Sequence, residues 1–276
     1  MTPELIFIVP YRNRAPQKKV FECVMPTILE DEKYKIIFVH QKDNRPFNRG
    51  AIKNLGFIYV KKTYPETYKN ITLVLHDIDF MPYYKNQFKY KTKQNVVKHF
   101  FGYTNTLGGI VSINAGDFEK INGFPNIWSW GLEDNVLKRR CQIAGFVPDR
   151  STFYHGGVDE DKVITLWHGW DRLINPKIRR KFTATTNIDG IGILKNIDYT
   201  IEEQSENIYV MHVTNFITGE SHLVGSQDTK LRNSRENKFF RDGYNGTNQK
   251  VNMRRTGLLP SMKASKRRHR SVFKGL

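Results

Sequence analysis

Cysteine is nearly absent: Cys23 and Cys141 are the only two in 276 residues. Two thiols make no disulfide framework and point to a compartment that keeps them reduced. Long apolar runs are missing too. The first, Leu5 to Val9, is far too short for a signal peptide, and no stretch approaches the roughly 20 apolar residues of a membrane span. Acidic residues are few, 27 against 44 Lys and Arg, a formal net charge of +17. That surplus is uneven. From Ser226 onward there are 14 Lys and Arg against 3 Asp and Glu, which leaves +6 for the first 225 residues. Most of the basic character therefore belongs to a tail, where any polyanion contact is expected.

What is present is core material. A hydrophobic content of 39% in a chain of this length reads as one large domain, 1–225, followed by a basic, Gly- and Asn-rich extension, 226–276. The many aromatic residues suit sugar and nucleotide faces as well as an ordinary core.

The chain is organised around Ile71 to Pro82, ITLVLHDIDFMP. Ile71 to Leu75 read as a buried strand that stops at His76-Asp77-Ile78-Asp79. Side chains two apart on a strand point the same way, so Asp77 and Asp79 share a side. Paired carboxylates at a strand end repel unless a positive charge lies between them. A hard divalent cation meets that need and also grips a diphosphate. The competing reading is a turn or a helix cap.

In chain order, Leu5 to Val9 read as a first strand ended by Pro10. Tyr11-Arg12-Asn13-Arg14 follows, either an oxyanion-binding pair of guanidinium groups or a solvated loop. Gln17 to Glu30 reads as an amphipathic helix that Pro26 kinks or shortens. Lys35 to Val39 is a second strand. Pro46 suits a helix start, with Ala51 to Val60 as the helix body. Residues 83–100 read as a long surface loop, and Gly108 to Ile113 as a strand after a glycine pair. Asp117 to Ile121 is a short helix closed by Asn122-Gly123. Glu133 to Ala144 is a helix whose first-turn acids either do chemistry or only stabilise its dipole. Residues 146–182 are irregular. Ile197 to Val224 reads as a hairpin turning near Thr218-Gly219.

Several motifs come in a fixed order: Pro10-Tyr11-Arg12-Asn13-Arg14, Phe47-Asn48-Arg49, His76-Asp77-Ile78-Asp79, Gly108-Gly109, Asn122-Gly123-Phe124-Pro125-Asn126 and Trp128-Ser129-Trp130-Gly131-Leu132-Glu133-Asp134. Over roughly residues 5–200 this order resembles the β-1,4-galactosyltransferase family. The resemblance implies an α/β, GT-A-type nucleotide-sugar-binding fold, with a mixed central sheet flanked by helices. It implies an inverting enzyme that moves galactose or an N-acetylhexosamine from a UDP-sugar to an acceptor hydroxyl on a glycan or glycoconjugate, with a β-1,4-type linkage and Mn²⁺. On this pattern Pro10, Tyr11, Arg12, Arg14, Phe47 and Arg49 hold uridine and phosphates. Asp77 contacts the nucleotide, and Thr106, Gly108, Gly109, Trp130 and Gly131 line the donor. Asp134 is the catalytic base and Glu133 its neighbour at the sugars. Asp79 and His168 bind the metal, with His155 the weaker alternative to His168.

There are departures from the family. Thr106 stands where the family has a tyrosine that narrows the donor pocket, so a roomier site is expected. Asn135 replaces a second acceptor-contacting Asp, and Thr165 a methionine metal ligand. The family's membrane anchor and luminal disulfides have no counterpart here, which points to a soluble, cytoplasmic enzyme of bacterial or viral type. Two other readings remain: a basic nucleic-acid- or virion-associated protein, supported by the tail, and an inactive lectin-like relic.

Overall fold

The computed structural model describes residues 2–167, 172–174, 189–219 and 229–231. These all belong to a compact unit, Met1–Asn237. The boundary expected at residue 226, and the basic tail beyond it except residues 229–231, lie outside them.

The elements follow one another as β1 (Leu5–Tyr11), α1 (Ala15–Ile28), β2 (Tyr34–Gln41), α2 (Arg49–Thr63), β3 (Thr72–His76), β4 (Phe80–Met81), β5 (Val96–Gly102) and β6 (Ile110–Asn114). Then come α3 (Ala115–Lys120), α4 (Glu133–Ile143), β7 (Val147–Asp149), β8 (Tyr154–His155), β9 (Ile164–Thr165), β10 (Arg172–Ile174), β11 (Lys195–Ser205), β12 (Ile208–Ile217) and β13 (Thr229–Leu231). Among the described residues, the main sheet runs β11-β12-β2-β1-β3-β6-β5-β7, with β8 also on β5. β12, β2, β1 and β3 are parallel neighbours, whereas β6 is antiparallel to both β3 and β5. The expected mixed sheet flanked by helices is what forms.

Both faces of the middle of this sheet are buried. Ile6 and Ile8 of β1 pack with Ala51, Ile52 and Leu55 of α2, Phe118 of α3 and Leu137 of α4. Leu5, Phe7 and Val9 pack on the other side with Phe21 and Met25 of α1. A strand covered twice reads as an unbroken apolar run, which is why Leu5 to Val9 was legible.

Pro10 does not end β1. The strand continues to Tyr11 along β2, although its pairing to β3 stops at Ile8. Beyond Ile8 one side of β1 has no strand neighbour, and there a missing N–H is tolerated. Pro26 lies in the last turn of α1, which ends at Ile28. Helix α2 starts earlier than Ala51, because Asn48 caps it by accepting from Ala51 N at 3.0 Å.

Two readings needed larger correction. Residues 83–100 are not all surface loop. Phe88 and Tyr90 are buried against Phe100, and β5 begins at Val96. The lysines around them point outward and mask two core rings. The hairpin turns at Glu206-Asn207, between β11 and β12, not at Thr218-Gly219. β11 is an edge strand, mostly exposed, and only Ile197 and Tyr199 of its alternating apolar residues pack on the core. Thr218 instead accepts a hydrogen bond from Trp128 Nε1 at 2.9 Å.

Candidate active site

The carboxyl ends of β1 and β3 and the N-termini of α2 and α4 converge, the usual ligand position in an open α/β sheet. Arg49 opens α2 and joins them. Its Nη2 is bonded to Asp77 Oδ2, and its Nη1 reaches Glu133 Oε1 at 2.8 Å and Asp134 Oδ2 at 3.1 Å. Lys53, one turn later, approaches Asp77 Oδ1 at 3.3 Å. Burial opposes charge on Asp77, but Arg49 and Lys53 outweigh it and hold the carboxyl well below its ordinary range. Asp134 goes the other way. Burial pushes it up to about 6 and Glu133 adds to the rise, against the pull of Arg49. Glu133 Oε2 and Asp134 Oδ1 are buried with no hydrogen-bond partner among the described residues. They are acceptors that a sugar hydroxyl would satisfy.

Local backbone fixes Asp134. Leu107 N donates to its carbonyl at 3.1 Å. Gly108 lies so close that a Cβ there would be 2.2 Å from Asp134 Oδ2. Gly109 has φ +81°, and its carbonyl accepts from Asp77 N at 2.9 Å. The glycine pair thus ties the Asp77 strand end to the Asp134 helix start. Leu132, just before the two acids, has φ 78°. A bulky residue in that region is strained, and such outliers gather at functional sites.

The Asn122-Gly123-Phe124-Pro125-Asn126 motif is an anchor. Asn54 bonds both the N–H and the carbonyl of Phe124, at 2.9 and 2.8 Å. Asn126 holds Asp189 through its N–H and Nδ2, each at 2.8 Å. Arg140 of α4 donates to the carbonyls of Asn122 and Gly123 at 3.0 and 2.7 Å. This lattice ties the motif to α2 through Asn54 and to the body of α4 through Arg140.

The expected donor residues divide. Arg49, Asp77, Gly108 and Gly109 meet at the centre. Pro10 is buried, and Tyr11 packs on His40 with the rings 4.8 Å apart and tilted by 60°. Arg12 clasps the carbonyls of Asp43, at 3.0 Å, and Arg45. Arg14 is bonded at 2.9 Å to Asn13 O. Phe47 packs on the core beside α2. Thr106 is buried, and its hydroxyl donates to Tyr103 O at 3.2 Å. Trp130 and Gly131 lead into Leu132, with Trp130 half-buried.

His168 lies outside the described residues. The chain leading to it is placed: β9 pairs with β4, and Leu166 N donates to Asp79 O at 2.8 Å. His155 packs edge-on to Tyr103 at 5.5 Å. His76, beside the acids, is a core residue at contact distance from Phe7 and Phe21, and burial holds it neutral with a pKa of about 4. Among the described residues no group of three or more His, Cys, Asp or Glu could hold a metal ion.

Sequence reading missed Lys53 and Arg45. Lys53 shows only as the i+4 partner of Arg49, a spacing that puts both on one helix face. Arg45 lies over the stacked rings of Trp128 and Phe216, at 4.8 and 4.3 Å, a contact no local pattern reveals.

Residues 2–92 match the N-terminal region of glycosyl transferase group 7, and residues 89–158 match the N-terminal domain of galactosyltransferase. Together the two cover more than half of the chain. The chain belongs to the β-1,4-galactosyltransferase family. It is 27% identical over 222 residues to β-1,4-galactosyltransferase 5 of Mus musculus, covering 75% of this chain and 54% of that protein. Over 212 residues it is 30% identical to the Sus scrofa protein of that name, covering 71% and 51%. This galactosyltransferase relative thus spans about half the length of the curated proteins it matches. The catalytic domain of Drosophila β1,4-galactosyltransferase 7, solved in complex with xylobiose, superposes with a TM-score of 0.61 at 20% identity, over 77% of this chain and 94% of that one. A mutant of the same enzyme, with manganese, UDP-Gal and xylobiose, gives 0.58 at 20% identity, over the same shares. The shared fold is that of the galactosyltransferase catalytic domain. No helix among the described residues is long and apolar enough to cross a membrane.

Proposed function

We propose that this chain is an inverting glycosyltransferase that moves a hexose from a UDP-sugar to an acceptor hydroxyl, with Asp134 as the base. The observation that carries the reading is the state of Asp134. It is a largely buried carboxyl raised to about 6, with an oxygen that has no partner among the described residues, in the first turn of α4 and one guanidinium away from Asp77. A base with a pKa near the working pH accepts a hydroxyl proton efficiently. One base on the face opposite the leaving group suffices for inversion. Glu133 Oε2 is placed to orient the sugars, and Arg49 to follow the negative charge that develops on the diphosphate. Tyr11 and Phe47 serve the nucleoside.

Asp79 and His168 would hold the metal. A carboxylate and an imidazole beside diphosphate oxygens suit Mn²⁺, and the backbone bond from Leu166 to Asp79 favours the pair by running the chain before His168 past Asp79. The ion would supply positive charge for the departing diphosphate.

The small side chain at Thr106 supports a donor pocket that admits UDP-N-acetylhexosamines as well as UDP-galactose. The deciding experiment is UDP release from a panel of nucleotide-sugars, with and without Mn²⁺, with products weighed by mass spectrometry. Mn²⁺-dependent hexose transfer is expected. No release with any donor defeats the enzyme reading, and a strong preference for UDP-galactose defeats the Thr106 argument.

A further inference from the structure

The segment 103–109, between β5 and β6, carries Thr106 and the glycine pair, and side chains outside it hold its carbonyls. Arg150 follows β7, whose register on β5 sets Asp149 beside Lys98 and so brings Arg150 to His99. Arg150 Nη2 donates to Thr104 O at 2.9 Å and to Thr106 O at 3.3 Å, and its Nε lies 3.2 Å from His99 Nδ1. His99 is 1% exposed, and its Nε2 lies 2.9 Å from Gly108 O and 3.1 Å from Phe101 O. Both of those oxygens only accept, so Nε2 carries the proton and Nδ1 takes its bond from the guanidinium. Burial keeps the ring neutral, with a pKa of about 4, and one tautomer serves every bond. The backbone is shaped for this reach. β5 has a bulge between His99 and Phe101, which sends Phe100 and Phe101 into one core cluster. Gly102 has φ +140°, and a Cβ there would be 2.9 Å from His99 Nε2 and 2.5 Å from Gly108 O. Satisfying the bulge explains the bond to Phe101 O. It does not explain the bond to Gly108, which lies against the Asp134 carboxylate.

We propose that Arg150 and His99 form a positioning pair for Asp134: they fix the carbonyls of Thr106 and Gly108, and Gly108 is the wall against which the carboxylate rests. The inference rests on the transferase reading, since Asp134 is the base of that reading. Both residues act through the backbone of 104–108 and not on the sugar. Lys138 and Asn135 of α4 hold the earlier carbonyls, those of Thr104 and Asn105, at 2.9 and 3.2 Å. The part of the segment beside Asp134 is the part that Arg150 and His99 reach.

Arg150→Met keeps an apolar stem beside Phe153 and removes the guanidinium. Its kcat is expected to fall about tenfold, with donor KM and calorimetric UDP affinity within about twofold of the wild type, because the base is displaced while the donor contacts stay. His99→Leu is expected to lose about 10²-fold in kcat. His99→Gln, whose amide nitrogen can still donate to Gly108 O, is expected to recover most of that loss. In a Gly108→Ala background Arg150→Met should add little, since the carboxylate is already displaced. The Leu107 N–H, which donates to Asp134 O, should exchange with solvent faster in Arg150→Met. A wild-type kcat in both Arg150→Met and His99→Leu overturns the proposal. So does a His99→Gln protein no better than His99→Leu, or a donor KM that rises as far as kcat falls. If His99→Leu does not fold, the kinetics and amide exchange of Arg150→Met decide. A wild type that transfers no sugar from any UDP-sugar defeats the transferase reading itself. That result is distinct from all of these, and Leu107 exchange then still tests the hold on the segment.

Discussion

Asp77, at the end of β3, and Asp134, in the first turn of α4, are held on different nitrogens of one guanidinium, that of Arg49. Their acidities move in opposite directions. Asp77 has two cations and is driven toward the anion, whereas Asp134 is left nearer neutral by burial and by Glu133. Neighbouring carboxyls pushed apart in this way can divide binding from proton transfer.

Asp134→Asn removes the proposed base and keeps the shape. Turnover is expected to fall by about 10²–10⁴-fold with UDP affinity unchanged. Stability at alkaline pH should rise by on the order of 3 kcal/mol, since the folded chain no longer holds a buried carboxylate ionised. Initial rates, calorimetric UDP titration and thermal melts check the three parts. An active Asn variant sinks the assignment.

The pH profile follows from the same group. The ionised form is the base, so kcat should be flat above about pH 7 and drop roughly tenfold per unit below about pH 6. Stability runs the other way. A folded pKa raised to about 6 gives a contribution that is full below the unfolded value and is lost as pH rises through 6. A rate profile without an acidic limb, or melts whose Asp134-dependent part rises with pH, would contradict the shift.

Gly108→Ala places a methyl where Asp134 Oδ2 now sits, 2.2 Å from an ideal Cβ. The carboxylate must move. Displacement of a reacting group by about 1 Å costs on the order of 10²-fold in rate. The expected signature is a lower kcat with a smaller change in KM for the donor, measured by steady-state kinetics on both substrates. An unaltered kcat would mean that Asp134 has no positional role.

Asp79→Asn tests the metal. The Mn²⁺ concentration for half-maximal activity should rise by on the order of 100-fold, since loss of even a supporting partner costs about 10–100-fold in affinity. His168→Ala is expected to shift the same curve. Mn²⁺ titration of the rate reads both, and a curve that neither change moves rejects the pair as ligands.

Much of the architecture was legible because it is local. The unbroken apolar runs of β1 and β2, the body of α2 and the glycine pair before β6 all act over a few residues. The acids at 77, 133 and 134 stood out through the fixed order of the motifs and the family resemblance, because alone they read as readily as a turn and as first-turn acids on a helix dipole. Phe88, Tyr90 and the β11–β12 turn were hidden, since the two rings sit among lysines and β11 is a mostly exposed edge whose inward face is short.

By itself the sequence determined which segments form strands and helices and which side chains carry charge, because hydrophobic period and capping are short-range. Only the tertiary structure decided that Arg49 and Lys53 would both face Asp77, that Gly108 would touch Asp134, and that the two acids would differ in pKa. Those outcomes depend on distances between segments far apart in the chain, and on how much water the fold leaves around each charge.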